Sequence, residues 1–278
     1  MSLSHRRQVE SSYSSRFPAR ILGLILLAAV SGALLSGCSI FGEEQDITKD
    51  WSAARLYSAA KERLENKDYE QAIDYYEKLE ARYPFGPHSQ QAQLDIAYAY
   101  YKNEDSAAAV AAADRFIKLH PRHPNVDYAY YIKGLANYVK TGGLLSRIVQ
   151  KDYSKRDTGA ATEAFQDFSE LTRRFPNSKY AQDAAQRMLF LKNTLAMYEV
   201  NVARYYLSRG ALVAAANRAR YVVENYQRTP AMPDALVVLA KTYKAMQLTS
   251  LSEDAVRVLE LNYPDHPGIR EVAELDVD

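Results

Sequence analysis

Cys38 is the only cysteine of the chain. A lone thiol cannot close an internal disulfide, so the chemistry open to it is covalent modification. It ends the stretch Leu35-Ser36-Gly37-Cys38, which follows an uncharged apolar run from Ile21 to Leu35. Arg6, Arg7, Arg16 and Arg20 precede that run. A basic leader, a short apolar stretch and small residues at its end read as a secretory signal peptide over residues 1–37. A spanning helix needs about 20 apolar residues, which this run does not supply.

The tetrad ending at Cys38 resembles the lipobox of bacterial lipoproteins. That resemblance implies cleavage before Cys38 and a covalent lipid on its thiol. Ser39, rather than an aspartate, follows the cysteine, which by the same resemblance implies transfer to the outer membrane. Residues 38–50 then form a linker from the lipid. Treated as a flexible chain, the dozen residues from Ser39 to Asp50 span roughly 20 Å.

No other constellation points to catalysis or to a metal. His5 lies in the leader, and His88, His120, His123 and His266 each lie near a proline. The pair in His120-Pro121-Arg122-His123-Pro124 has no cysteine beside it and no helical spacing, so a polar turn is the simpler reading. Zinc-protease, phosphate-loop and nucleophile-elbow motifs are missing from the sequence. The reading is of a non-enzyme with no catalytic residue, no metal site and no cofactor beyond the lipid on Cys38.

Charge narrows the partners. Without the leader the chain keeps 31 basic and 33 acidic side chains, a net charge of −2. That balance carries no footprint for nucleic acid and no polybasic face for anionic lipid. Membrane attachment is then left to the lipid.

The elements that must position any binding residue are helical repeats. In Leu56–Pro84, Ala60 lies on a first apolar stripe, and Ala72, Tyr76 and Leu79 lie on a second. These match the small and aromatic positions of the 34-residue tetratricopeptide pattern, closed by a proline. The arrangement returns with Ala97, Tyr100, Ala109, Ala113, Phe116 and Pro121. A middle unit has Gly134, Ala164, Phe168, Leu171 and Pro176. A fourth has Ala203, Tyr206, Ala215, Ala219 and Val222, with Gln227 at the proline position. The last has Leu236, Ala240, Tyr243, Val256, Leu259 and Pro264. Small residues let two antiparallel helices touch, and stacked pairs share one core.

The fold class is therefore all-α, an α-solenoid of about five tetratricopeptide-like repeats. Two irregularities divide it. Thr141 to Thr158 is a long insertion, functional or merely tolerated. Ser178 to Arg209 is too long for one repeat helix and forms one long helix or two with a bend, stopped at Gly210. The expected organisation is N-terminal repeats over residues 51–177, C-terminal repeats over 178–264 and a tail over 265–278. Tyr98, Tyr100 and Tyr101, then Tyr128, Tyr130 and Tyr131, put aromatics on more than one face of their helices; some must pack in the repeat core, and those left over suit a peptide-binding groove.

Several runs resemble one known family. They include Arg82-Tyr83-Pro84-Phe85-Gly86-Pro87, Tyr98-Ala99-Tyr100-Tyr101-Lys102, Asp114-Arg115-Phe116-Ile117, Phe165-Gln166-Asp167-Phe168-Ser169 and Arg209-Gly210-Ala211 followed by Asn217-Arg218. From about Trp51 to Tyr263 the chain resembles the BamD (ComL) family of outer-membrane assembly lipoproteins. It departs at Leu212, where that family carries tryptophan.

The resemblance implies a lipid-anchored scaffold on the periplasmic face of the outer membrane of a Gram-negative bacterium. Its implied partners are the periplasmic domain of a BamA-like barrel core subunit, other lipoproteins of the same machine, and unfolded outer-membrane proteins. It implies that the N-terminal repeats recognise substrate, with Tyr83 and Phe85 as candidates, and that Asn217 and Arg218 dock the core subunit. If Arg218 were instead paired within the chain, Glu224 or Asp183 would be its expected partner. A lipoprotein activator of a peptidoglycan synthase or hydrolase would share the anchor and the repeats, and is the competing reading.

Overall fold

The computed structural model describes residues 46–141 and 158–276, and residues from Trp51 onward form one compact unit. Among the described residues there are eleven helices and no strand. They are α1 (Ala53–Glu65), α2 (Tyr69–Arg82), α3 (Pro87–Lys102), α4 (Ser106–Leu119), α5 (Val126–Lys140), α6 (Gly159–Arg174), α7 (Ala181–Ser208), α8 (Leu212–Asn225), α9 (Met232–Ala245), α10 (Thr249–Asn262) and α11 (Gly268–Ala273). Five helical hairpins follow in series, with α11 laid against the last.

The turns repeat as regularly as the helices. Lys67, Glu104, Gly210 and Gln247 sit between α1 and α2, α3 and α4, α7 and α8, and α9 and α10. All four have φ between 59° and 70°. After each, the next backbone N–H reaches back five residues, as from Asp68 to the Arg63 carbonyl (2.9 Å) and from Ala211 to the Tyr206 carbonyl (3.0 Å). This left-handed closure satisfies carbonyls that a helix end leaves open. Only one of the four positions is glycine.

The turns between hairpins use a different device. Tyr83, His120, Phe175, Tyr226 and Tyr263 end the second helices, each with ψ between 36° and 66°, outside the helical region, and each bonding the carbonyl four residues back. Proline follows four of them, and its ring drives the preceding residue out of the helical region.

Inside the hairpins the small residues lie at the crossings. Ala60, Ala72, Ala97, Ala109, Ala113, Ala203, Ala215, Ala219 and Ala240 are all fully buried. In the middle repeat Gly134 meets Phe168, whose ring edge lies 2.5 Å from where a Cβ would stand. The first helices of neighbouring hairpins also approach closely, α1 to α3 to α5 and α7 to α9, and α9 meets α11.

The step from α5 to α7 is made by long side chains. Tyr138 meets Phe190 edge-on, Arg187 lies over Tyr138, and the Tyr131 hydroxyl donates to Asp183 Oδ2 (2.7 Å). Here α7 is a single helix of 28 residues. Its first part packs with α6 and its second part with α8, so it spans two hairpins.

Candidate partner-binding sites

The turn from α2 to α3 is stiff and presents two aromatics differently. Pro84 and Pro87 restrict it, Ser89 Oγ donates to the Pro84 carbonyl (3.0 Å), and Gly86 takes φ 110° at the head of α3. The Tyr83 hydroxyl donates to the Trp51 carbonyl (2.9 Å), tying the turn to the start of α1. Phe85 is 90 % exposed. An exposed ring on a restrained turn offers apolar contact at little ordering cost. The two residues proposed together from sequence thus divide: Tyr83 is anchored, and Phe85 is free to meet a partner.

Farther along, an aromatic row runs over α3, α5 and the start of α7. Tyr98 stands 6.3 Å from Tyr101 and 6.4 Å from Tyr128, measured between ring centroids. Tyr180 stacks on Tyr128 at 5.1 Å and on Tyr131 at 4.7 Å. All five rings are partly exposed.

Two carboxylates border the row. Asp95 accepts from Tyr57 (2.9 Å) and Gln91 (2.8 Å), with Tyr76 at 3.5 Å. Burial raises its pKa, and these hydrogen bonds only partly oppose that. The same burial and the charge of Asp95 push the Tyr57 and Tyr76 hydroxyls far up, so both stay protonated donors. Asp183 behaves differently. Burial would raise it, but donation from Arg187 and Tyr131 outweighs that and holds it below the usual carboxylate range. Tyr131 is pushed up to about 12 by burial and by its bond to Asp183.

Neither carboxylate nor Tyr180 follows from the repeat pattern. Tyr57 is 38 residues from Asp95, and Tyr131 is 52 residues from Asp183. The one local signal is Asp95 itself, a charge set between Leu94 and Ile96 on an otherwise apolar stretch.

Arg218 lies on α8, and its internal partner is Glu199 of α7. Nη1 donates to both carboxylate oxygens, at 2.8 Å and 3.2 Å. The glutamate side chain is 14 % exposed and the arginine 46 %. Glu199 holds the guanidinium pKa above its ordinary value, chiefly by hydrogen bonding. The sequence offered Glu224 or Asp183 for this pairing, and both are excluded by geometry. Glu224 is six positions along the same helix, on another face. Asp183 is taken by Arg187 and Tyr131. Asn217 is exposed and accepts from Arg220.

Arg218 therefore bonds Glu199 through Nη1 alone, and Nε and Nη2 form the other edge of a side chain that is half exposed. That edge is the one that matches a carboxylate with two parallel bonds. The structure sets Arg218 and Asn217 on the second half of the solenoid, and Tyr83 and Phe85 at the turn between the first two hairpins. Cys38 and residues 142–157 of the insertion lie outside the described residues. No group of histidines, cysteines and carboxylates suited to a metal occurs among the described residues, and no described helix is long and apolar enough to cross a membrane.

Comparison with known proteins agrees with this architecture. A sequence model of the outer membrane lipoprotein family YfiO matches residues 49–259. The chain is 45 % identical over 250 residues to the "outer membrane protein assembly factor BamD" of Neisseria meningitidis serogroup B, covering 89 % of this chain and 94 % of that one. Proteins of the same name from Vibrio cholerae and Xylella fastidiosa are 38 % and 36 % identical. The Vibrio cholerae match covers 83 % of this chain and 94 % of that one, and the Xylella fastidiosa match covers 91 % and 85 %. With a family match over most of its length and relatives of this identity and coverage, the chain belongs to the YfiO family of outer membrane lipoproteins, which the BamD assembly factors exemplify.

Proposed function

We propose that this protein is an assembly factor for outer membrane proteins, a lipid-anchored solenoid that joins incoming barrel proteins to the machine that inserts them. The observation that carries this reading is the similarity to proteins named BamD over nearly the whole chain. The competing reading, an activator of a peptidoglycan enzyme, has no such support. Cys38 carries the lipid, and the solenoid works on the periplasmic face.

The parts take separate roles. Phe85 and the row Tyr98–Tyr128–Tyr180–Tyr131 receive an extended, aromatic-rich segment of an unfolded barrel protein. Aromatic side chains with polar tips suit such a segment, because they supply contact area at little cost in rotamer freedom. Arg218 offers its outer edge to a carboxylate on the periplasmic domain of a BamA-like core subunit, with Asn217 beside it. Other lipoproteins of the machine complete the complex.

A photo-crosslinker at Phe85 tests the substrate half. It should capture peptides from the C-terminal strands of barrel proteins in preference to scrambled ones. Equal capture of both would remove Phe85 from substrate recognition and leave the turn a purely structural one.

A further inference from the structure

The C-terminal thirty residues differ in charge from the rest of the chain. Residues 249–278 carry eight carboxylate side chains and only two basic ones, Arg257 and Arg270, whereas the whole chain is +1. Between α10 and α11 lies an open groove of about 610 Å³, floored by Val256, Ile269 and Val272. Among the described residues, α10 packs chiefly against α9 and touches the six-residue α11.

Four charged side chains line the groove, and two of them are already committed. Lys244 Nζ donates to the carbonyls of Val272 (2.8 Å) and Ala273 (3.2 Å), where it caps α11. Arg257 pairs with Asp254 at 3.1 Å. Glu253 and Glu260 are exposed on the rim and take part in no ion pair among the described residues. An apolar floor under two uncompensated carboxylates selects for apolar side chains flanked by positive charge.

We propose that this groove is a docking site for a basic amphipathic segment of a partner protein. Its apolar side chains enter between α10 and α11, and its lysines or arginines meet Glu253 and Glu260. The site is separate from the Arg218 edge and does not depend on it.

The test uses the full chain in phosphatidylcholine nanodiscs and a labelled amphipathic peptide of about 15 residues, long enough for several helical turns. The peptide carries leucines on one face and lysines on its flanks, and empty nanodiscs are subtracted. Saturable binding is expected, weakened about tenfold by Glu253→Lys with Glu260→Lys. Val256→Asp should weaken it too, and the remote, exposed Glu62→Lys should not. Circular dichroism checks that each variant keeps its helices, and Glu253→Gln with Glu260→Gln serves if the reversal does not. Equal binding of a glutamate-flanked peptide, or indifference to the rim variants, would overturn the proposal. So would self-association of the chain abolished by the same variants, which would give the groove to a second copy.

Discussion

Arg218 and Glu199 form an ion pair in which one nitrogen of the guanidinium serves both oxygens of a largely buried carboxylate. The pair joins α8 to α7, so the arginine assigned to docking also has work inside the solenoid. Loss of Arg218 would therefore combine two effects, and the geometry separates them.

Arg218→Leu strands Glu199 and should lower stability by about 1–2 kcal/mol, less than for a fully buried pair because the guanidinium is half in water. Adding Glu199→Gln removes the stranded charge and should restore most of that loss in a urea melt. Binding to the core subunit's periplasmic domain should stay weak in the double variant. Recovery of binding together with stability would mean that Arg218 acts only through folding.

The four left-handed turn positions give a second prediction. Lys67, Glu104 and Gln247 hold φ values near 60° that L residues adopt at a cost, while Gly210 holds the equivalent position without one. Lys67→Gly should raise stability by about 0.5–1 kcal/mol, and Gly210→Ala should lower it by about 1 kcal/mol. Opposite signs at two equivalent turns are the signature to look for in thermal melts. Equal signs would contradict the equivalence.

Much of the solenoid was legible in the sequence because its repeat rule is local. Alanines at Ala60, Ala97, Ala203 and Ala240, with prolines after the second helices, mark crossings and turns within one hairpin. The left-handed turns were hidden, because three of the four use a side chain that carries no turn signal. The polar contacts at the sites were hidden for another reason. Glu199 and Arg218 meet across a helix boundary, and Tyr131 reaches Asp183 beyond the insertion. No repeat periodicity encodes such pairings, so Glu199 does not stand out in the sequence as the partner of Arg218.

Asp95 supplies a pH prediction. Its folded pKa is raised by burial, so the folded state binds its proton more tightly than the unfolded chain does. Its favourable contribution is complete below the unfolded value, about pH 4, and is lost as pH rises through the higher folded value. Asp95→Asn removes this component. The stability of the wild type minus that of the variant should therefore fall between about pH 4 and neutrality. A difference that rises with pH over that window would mean Asp95 is held ionised by its donors.

Under the proposed function, contact with a barrel core subunit is what brings this protein into outer membrane protein assembly. Affinity purification of the full chain from detergent-solubilised membranes, followed by mass spectrometry of what stays bound, tests it most directly. A BamA-like core subunit should be recovered in near-equal amount with the wild type and be sharply depleted with the Glu199→Gln/Arg218→Leu variant. Recovery of a peptidoglycan synthase or hydrolase, with no barrel subunit, would contradict the account.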